Sequence, residues 1–259
     1  MNDWNPGQYL KFENERNKPI TDLLSRVHLP CPKRVLDIGC GPGNSTGFLA
    51  RRWPDAEMIG LDSSQAMLEA ARERLPGPCW IECDATGDLS HLGRFDLVFS
   101  NAALQWMPDH ERVVPAWFAM LKPGGVLAIQ APGNFNSPLH QALLATAGNE
   151  KWRGALQQAK PQNYRAARYY YDILSKFTDK FELWAVEYHH VLDSHEDMIE
   201  WYKGAGFRPY LAELDTRGQA AFLDDMLEQA RALYPPQADG KILFEFRRLF
   251  FTAIKENKA

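Results

Sequence analysis

The chain has 259 residues, 45% of them hydrophobic and 24% charged, with a formal net charge of -4. That length allows one large or two small domains with a buried core, and the composition is that of a folded protein rather than a disordered or membrane-embedded one. An acidic balance gives no general attraction to phosphate backbones, so nucleic acid is not an expected partner.

The first sixteen residues, MNDWNPGQYLKFENER, are polar and mixed in charge. They read as neither a secretory signal nor a membrane span, and the expected location is the cytoplasm. Tyr9, Phe12, Arg16 and Ile20 recur at helical spacing, so Asn2 to Arg26 is predicted to be helical. Two readings stay open for it: an amphipathic helix packed on a sheet, or a lid in which Tyr9 and Arg16 close over a ligand. The four cysteines, Cys31, Cys40, Cys79 and Cys83, include no CxxC pair. Reduced, buried thiols fit them better than a zinc site, and no metal is expected.

From Arg34 to about Gln130, short apolar runs alternate with amphipathic stretches. RVLDI, EMIGL, CWIEC, FDLVF and GVLAIQ read as strands, while NSTGFLARRW, SQAMLEAARERL and HERVVPAWFAML read as helices. The alternation predicts βαβ units around a mostly parallel, doubly wound α/β sheet. Asn44 or Ser45 is placed to cap the first of these helices and Ser63 or Ser64 the second. LKPGG stops the third, because Pro123 cannot continue a helix and the glycines supply a turn. Beyond Pro132 the strict alternation ends. YYYDILSKF reads as a helix, FELWAVEYHHVL and KILFEFRRLFFTAIKE as strands, and Ser194 to Tyr234 as helical. Residues 133–168 and 194–238 are expected to form a helical cap over the ligand edge of the sheet.

In an open parallel sheet the first strand-to-helix turn faces the ligand. Here that turn is VLDIGCGPGNST, with Gly39, Gly41 and Gly43 spaced GxGxG rather than the GxGxxG of dinucleotide binders. Asp37 at the end of the strand would repel a pyrophosphate and suits a ligand carrying an ammonium or sulfonium. Glycines there let backbone approach a ligand closely. Asp62, about twenty residues on, is placed to take two ribose hydroxyls, although DSS is also a helix-cap sequence. Asp84 before Ala85 can bond an adenine amino group and leave room for its ring.

VLDIGCGPGNST, GLDSS, ECDA, FDLVFSNAALQW and LKPGG occur in the order and spacing of the class I S-adenosylmethionine-dependent methyltransferases, which this chain resembles. The resemblance implies one Rossmann-like methyltransferase domain over 1–259. Its parts would be an N-terminal helical lid (1–30), a cofactor-binding half (31–132), the two cap segments, and the remaining helix and strands of the sheet (169–193 and 239–259). It implies S-adenosylmethionine as cofactor, with S-adenosylhomocysteine as product. Asp62 would hold the ribose, Asp84 and Ala85 the adenine, and Gly39, Gly41 and Asn101 would surround the methionine part. Asp37 would help hold its ammonium, and Arg16 with Tyr9 its carboxylate end. Cys40, Asn44, Ser63, Met67, Ala102 and Trp106 complete the cofactor-binding set that the resemblance implies. Trp106 reads either as core or as a wall of the transfer chamber.

A narrower resemblance covers nearly the whole chain, through DWNPGQYLKFENERNKPITDLL, NAALQWMPDH, YYYDILS, WYKGAGFRPYL and FRRLFF. It is to a branch of that family that forms a monomethyl ester on a small tricarboxylate. A carboxylate acceptor is already deprotonated at neutral pH, so no general base and no catalytic residue in that sense is expected. Arginine forks suit the non-reacting carboxylates; the candidates are Arg165, Arg168, Arg208, Arg247 and Arg248. The expected substrate set is Gln105, Arg168, Tyr170, Tyr171, Trp201, Arg208 and Arg247, in a monomer. A methyltransferase for another small or carrier-bound acid, a nicotinamide oxidoreductase and a catalytically idle binding module are the competing readings.

Overall fold

The computed structural model describes residue 7 and residues 12–256. In chain order its elements are α1 (Glu13–Ser25), β1 (Arg34–Ile38), α2 (Asn44–Arg52), β2 (Glu57–Asp62), α3 (Gln65–Arg74), β3 (Cys79–Glu82), β4 (Phe95–Asn101), α4 (His110–Ala119) and β5 (Leu121–Pro132). Then follow α5 (Pro138–Gly148), α6 (Ala167–Leu174), β6 (Phe181–Leu192), α7 (His195–Lys203), α8 (Arg208–Leu211), α9 (Thr216–Leu233) and β7 (Ile242–Ile254). Short 3-10 turns cover Ser90–Leu92 and Leu104–Trp106.

Among the described residues seven strands form one sheet in the order β3-β2-β1-β4-β5-β7-β6. Strands β1 to β5 pair in parallel. β7 runs against β5, because Gly124 donates to the Lys255 carbonyl and Gly133 to that of Arg247. β1 has β2 on one side and β4 on the other, so the helices leave in opposite directions there and open a crevice at the carboxyl ends of the strands.

The inner strands are aliphatic because both of their faces are covered. On one face Leu36, Ile38, Val98, Leu127 and Ile129 join Val113, Trp117 and Phe118 of α4 and Ile173 and Leu174 of α6 in a core. Side chains at opposed positions of neighbouring strands share a face. Asp37 is opposite Phe99, and Asn101 opposite Gln130. Asp37, Asn101 and Gln130 therefore stand together on the face away from α4, the face on which α2 packs: Ser45 and Thr46 of α2 reach Asp37 from there.

Three local features differ from the sequence expectation. Gly43, in the left-handed region at φ 84°, is the N-cap of α2, without a side-chain cap bond. Neither Asn44 nor Ser45 caps it. Asn44 instead donates to Glu13 and Asn17 of α1 and accepts from Arg74, while Ser64 does cap α3 by accepting from the Met67 N–H. β5 begins at Leu121, ahead of Pro123, and a register shift absorbs the extra residues: Phe95 faces Leu121 but Leu97 faces Val126. Proline is tolerated at such an irregularity because no regular ladder bond is lost. Ser194 to Tyr234 is divided into three helices.

The chain divides into two compact units. A sheet unit holds the described residues up to Ala131, Arg165–Val186, and those from Arg248 on; a helical unit holds Pro132–Tyr164 and Glu187–Arg247. The interior of the helical unit is aromatic, with Trp201, Tyr202, Phe207, Phe222 and Phe244 almost fully buried. Among the described residues no helix is long and apolar enough to cross a membrane.

Candidate active site

The site grows from the β1–α2 turn. The Gly39 and Cys40 N–H groups both donate to the Leu61 carbonyl, at 2.7 and 3.1 Å, which ties the turn to the end of β2. Gly39 has φ +70°, and a Cβ added there would stand 2.2 Å from the Cβ of Ala103. Only glycine lets the turn pass the loop after β4. Gly41 has φ +54° and open space where a Cβ would be.

Asp37, 1% exposed, ends in this turn. Its Oδ2 accepts from the hydroxyls of Ser45 and Thr46, both at 2.6 Å, whereas its Oδ1 has no hydrogen-bond partner. Burial lifts its pKa from 3.8 to about 6, and the Asp62 carboxylate adds to the rise; the two hydroxyls oppose it. A cation arriving at Oδ1 would relieve that cost. The thiol of Cys40 is pushed up, first by burial and then by the Asp37 and Asp62 charges, so Cys40 is a neutral wall.

Asp62 is half-buried at the end of β2. Its Oδ2 accepts from the Gly41 N–H and its Oδ1 from the Ser64 N–H, each at 2.9 Å. Two backbone donors thus fix the plane of the carboxylate. Asp84 is exposed, with Oδ1 accepting from the N–H and hydroxyl of Thr86 at 2.8 Å. The next carbonyl, Ala85, accepts from the indole of Trp117 at 3.0 Å, which anchors this loop to α4. Met67 is buried and Ser63 is exposed.

The loop after β4 contributes amides. Ala102 is in the left-handed region at φ 56°, and its carbonyl accepts from Gln105 Nε2 at 2.6 Å. Asn101 Oδ1 and Gln105 Oε1 are buried without partners, as are both amide atoms of Gln130, which is 0% exposed. Trp106 and Arg16 are half-buried in this same unit, and Tyr9 lies outside the described residues.

The expected substrate residues are distributed as follows. Gln105, Arg168, Tyr170 and Tyr171 belong to the sheet unit. Arg168 is exposed, and Tyr171 is 55% exposed with its ring against Phe181. Tyr170 is corrected: it lies in the core on the α4 side, and its hydroxyl meets His110 Nδ1 at 3.0 Å, which leaves no phenol proton for a ligand. Trp201, Arg208 and Arg247 belong to the helical unit. There Trp201 is buried against His190 at 4.5 Å, Arg208 is half-buried and Arg247 is exposed. Its neighbour Arg248, 5% exposed, is the buried member of the pair.

Gln130 was not among the expected site residues. The available signal was a polar side chain closing the buried run GVLAIQ at the ligand edge of the sheet.

Fold and site together define a class I methyltransferase: a seven-stranded sheet with a glycine turn after β1 and acidic residues ending β2 and following β3. The description "methyltransferase domain" fits a family pattern over residues 35–125. Phosphoethanolamine N-methyltransferase 2 of Haemonchus contortus shares the fold, with a TM-score of 0.56 and 19% identity over 92% of this chain and 52% of that one. The trans-aconitate 2-methyltransferase of Rhodopseudomonas palustris (strain BisB18) is 45% identical over 98% of this chain and 100% of its own length. That of Yersinia pestis (strain Pestoides F) is 40% identical, with 98% of both chains covered. The chain belongs to the trans-aconitate 2-methyltransferase family.

Proposed function

We propose that this protein esterifies one carboxylate of trans-aconitate with the methyl group of S-adenosylmethionine. The observation that carries the reading is identity of 40–45% to trans-aconitate 2-methyltransferases along 98% of the chain, so that both units and not just the cofactor motifs are included. The residues present fit the cofactor: a glycine turn that a Cβ would obstruct, an oriented Asp62 carboxylate and an unpartnered oxygen on buried Asp37.

When bound, the cofactor supplies an electrophilic methyl group: a carboxylate oxygen bonds to its carbon as the carbon–sulfur bond breaks, the electron pair goes to sulfur, and ester and thioether are both neutral. No proton moves, so no side chain has to act as acid or base. Asp62 would hold the ribose hydroxyls, Asp84 and Ala85 the adenine, and Asp37 the ammonium. What remains for the chain is alignment and exclusion of water, which is catalysis by proximity and desolvation. Arg208, half-buried in the helical unit, is our choice among the expected arginines for a non-reacting carboxylate. Strong pairing lowers a carboxylate's nucleophilicity, so the reacting one is left to neutral donors.

The reading extends to a monomer in the cytoplasm. The four free cysteines, Cys31, Cys40, Cys79 and Cys83, suit a reducing compartment, and sedimentation of the purified protein would report its state. The deciding assay is methyl transfer from labelled cofactor to trans-aconitate, cis-aconitate, isocitrate and citrate side by side. Base-labile label that prefers trans-aconitate supports the proposal; no label on any of the four overturns it.

A further inference from the structure

Ala102 at φ 56° and Asp109 at φ 49° are the non-glycine residues with positive φ among the described residues. They bracket one eight-residue loop, between β4 and α4, that carries Gln105 and Trp106. Left-handed backbone at alanine and aspartate is unfavourable and persists where surrounding contacts impose it. Hydrogen bonds within the loop are local and include Trp106 N–H to the Ala103 carbonyl, Met107 N–H to that of Leu104, and Gln105 Nε2 to that of Ala102.

His110 supplies one constraint from outside the loop, beside the bond from the Ala102 N–H to the Gln130 carbonyl. It is 0% exposed at the first turn of α4. Its Nε2 lies 2.9 Å from the Leu104 carbonyl and 3.1 Å from that of Met107. Carbonyl oxygens only accept, so Nε2 carries the proton and donates to both. Nδ1 must then be the acceptor, and the Tyr170 hydroxyl donates to it at 3.0 Å. The imidazole and the phenol stack at 5.8 Å with 17° between their planes, and Tyr169 meets the imidazole edge-on at 6.3 Å. Tyr170 is itself fixed in the core against Phe251 of β7.

We propose that His110 and Tyr170 are positioning residues for methyl transfer. Tyr170 selects the imidazole tautomer, and the imidazole N–H pins the two carbonyls that flank Gln105 and Trp106, holding these side chains where the acceptor acid is aligned. The inference rests on the proposed function for what is aligned, while the pin itself is independent of it. Neither residue touches the reacting atoms.

The test compares His110→Leu, His110→Gln and Tyr170→Phe with the wild type. Both substitutions of His110 lose the ring, but glutamine can restore an N–H toward Leu104 and Met107. Two quantities are read: hydrogen exchange of the 102–109 segment without ligand, and kcat, KM and cofactor Kd with trans-aconitate. Misalignment of reacting groups costs on the order of tenfold to a hundredfold in rate. The expected result is faster exchange in 102–109 and a kcat loss of that size for His110→Leu, a smaller loss for Tyr170→Phe, and substantial recovery in His110→Gln. Cofactor Kd should change by less than kcat throughout, because Asp62 and the glycine turn are untouched and, of the expected cofactor residues, only Ala102 and Trp106 lie in the loop.

Equal kcat in His110→Leu and His110→Gln would overturn the proposal, as would faster exchange without loss of kcat. Should His110→Leu fail to fold, Tyr170→Phe and His110→Gln decide by the same readouts. A wild type inactive on every acid would overturn the substrate reading instead. Exchange of 102–109 would then judge the pin, which falls if His110→Leu leaves it unchanged.

Discussion

Replacing Asp37 by asparagine should make the ligand-free protein more stable and the cofactor weaker. Asp37 is buried, and its folded pKa of about 6 stands above the ordinary 3.8. The folded state therefore binds this proton more tightly than the unfolded chain does. Its contribution to stability is full below pH 3.8, declines as pH rises, and is gone above about pH 6. About two pH units at 1.36 kcal/mol each make the ionised group cost about 3 kcal/mol at pH 7.5. Asparagine cannot ionise and still accepts from Ser45 and Thr46, so it should recover up to about that much. It also loses the charge proposed to face the cofactor ammonium, for which a loss of about 1.5–3 kcal/mol is expected, roughly tenfold to a hundredfold in Kd. Urea unfolding of both proteins between pH 4 and pH 8, with cofactor binding by calorimetry at pH 7.5, measures both effects. The stability gap should close toward pH 4, and wild-type affinity should weaken as pH falls through about 6. A variant less stable than wild type at pH 7.5, or one binding the cofactor equally well, would refute the account of this carboxylate.

Asp62→Ala should weaken the cofactor by about 1.5–3 kcal/mol, since hydrogen bonds to a charged group are lost; unchanged affinity in equilibrium dialysis would remove Asp62 from the site. Gly39→Ala places a Cβ 2.2 Å from Ala103 at φ +70° and should abolish cofactor binding with a clear loss of melting temperature, and a wild-type-like melting curve with intact binding would count against the turn geometry. Gln130→Leu removes two unpartnered amide atoms, so it should leave stability unchanged or raise it by about 1–3 kcal/mol while lowering kcat/KM for the acid; destabilisation would mean that the amide is structural. Arg208→Ala should raise KM for trans-aconitate with cofactor Kd unchanged, whereas Arg247→Ala, at an exposed position, should alter neither. Movement of both constants in Arg208→Ala would indicate damage to the fold.

The elements from Arg34 to Gln130 were legible in the linear chain because their signals are local. Apolar runs of strand length alternate with helical spacing from Arg34 to Gln130, and the Gly39–Gly43 turn, Asp62 and Asp84 each end or follow such a run, where a parallel sheet exposes its ligand edge. Residues whose role depends on which of two faces they occupy were not legible in this way. Successive strand residues point to opposite sides, so nothing local distinguishes Arg247 from Arg248; packing buries the second and exposes the first. Helix rotation separates Tyr170, whose hydroxyl reaches His110 sixty residues earlier, from exposed Tyr171. Register between β4 and β5 brings Gln130 beside Asn101, and α1 takes up the Asn44 amide that could have capped α2. The sequence by itself determined most of the strands and helices and the mostly parallel sheet. Only the tertiary structure decided which polar groups are buried and whether they have partners, because that depends on pairings between residues far apart in the chain.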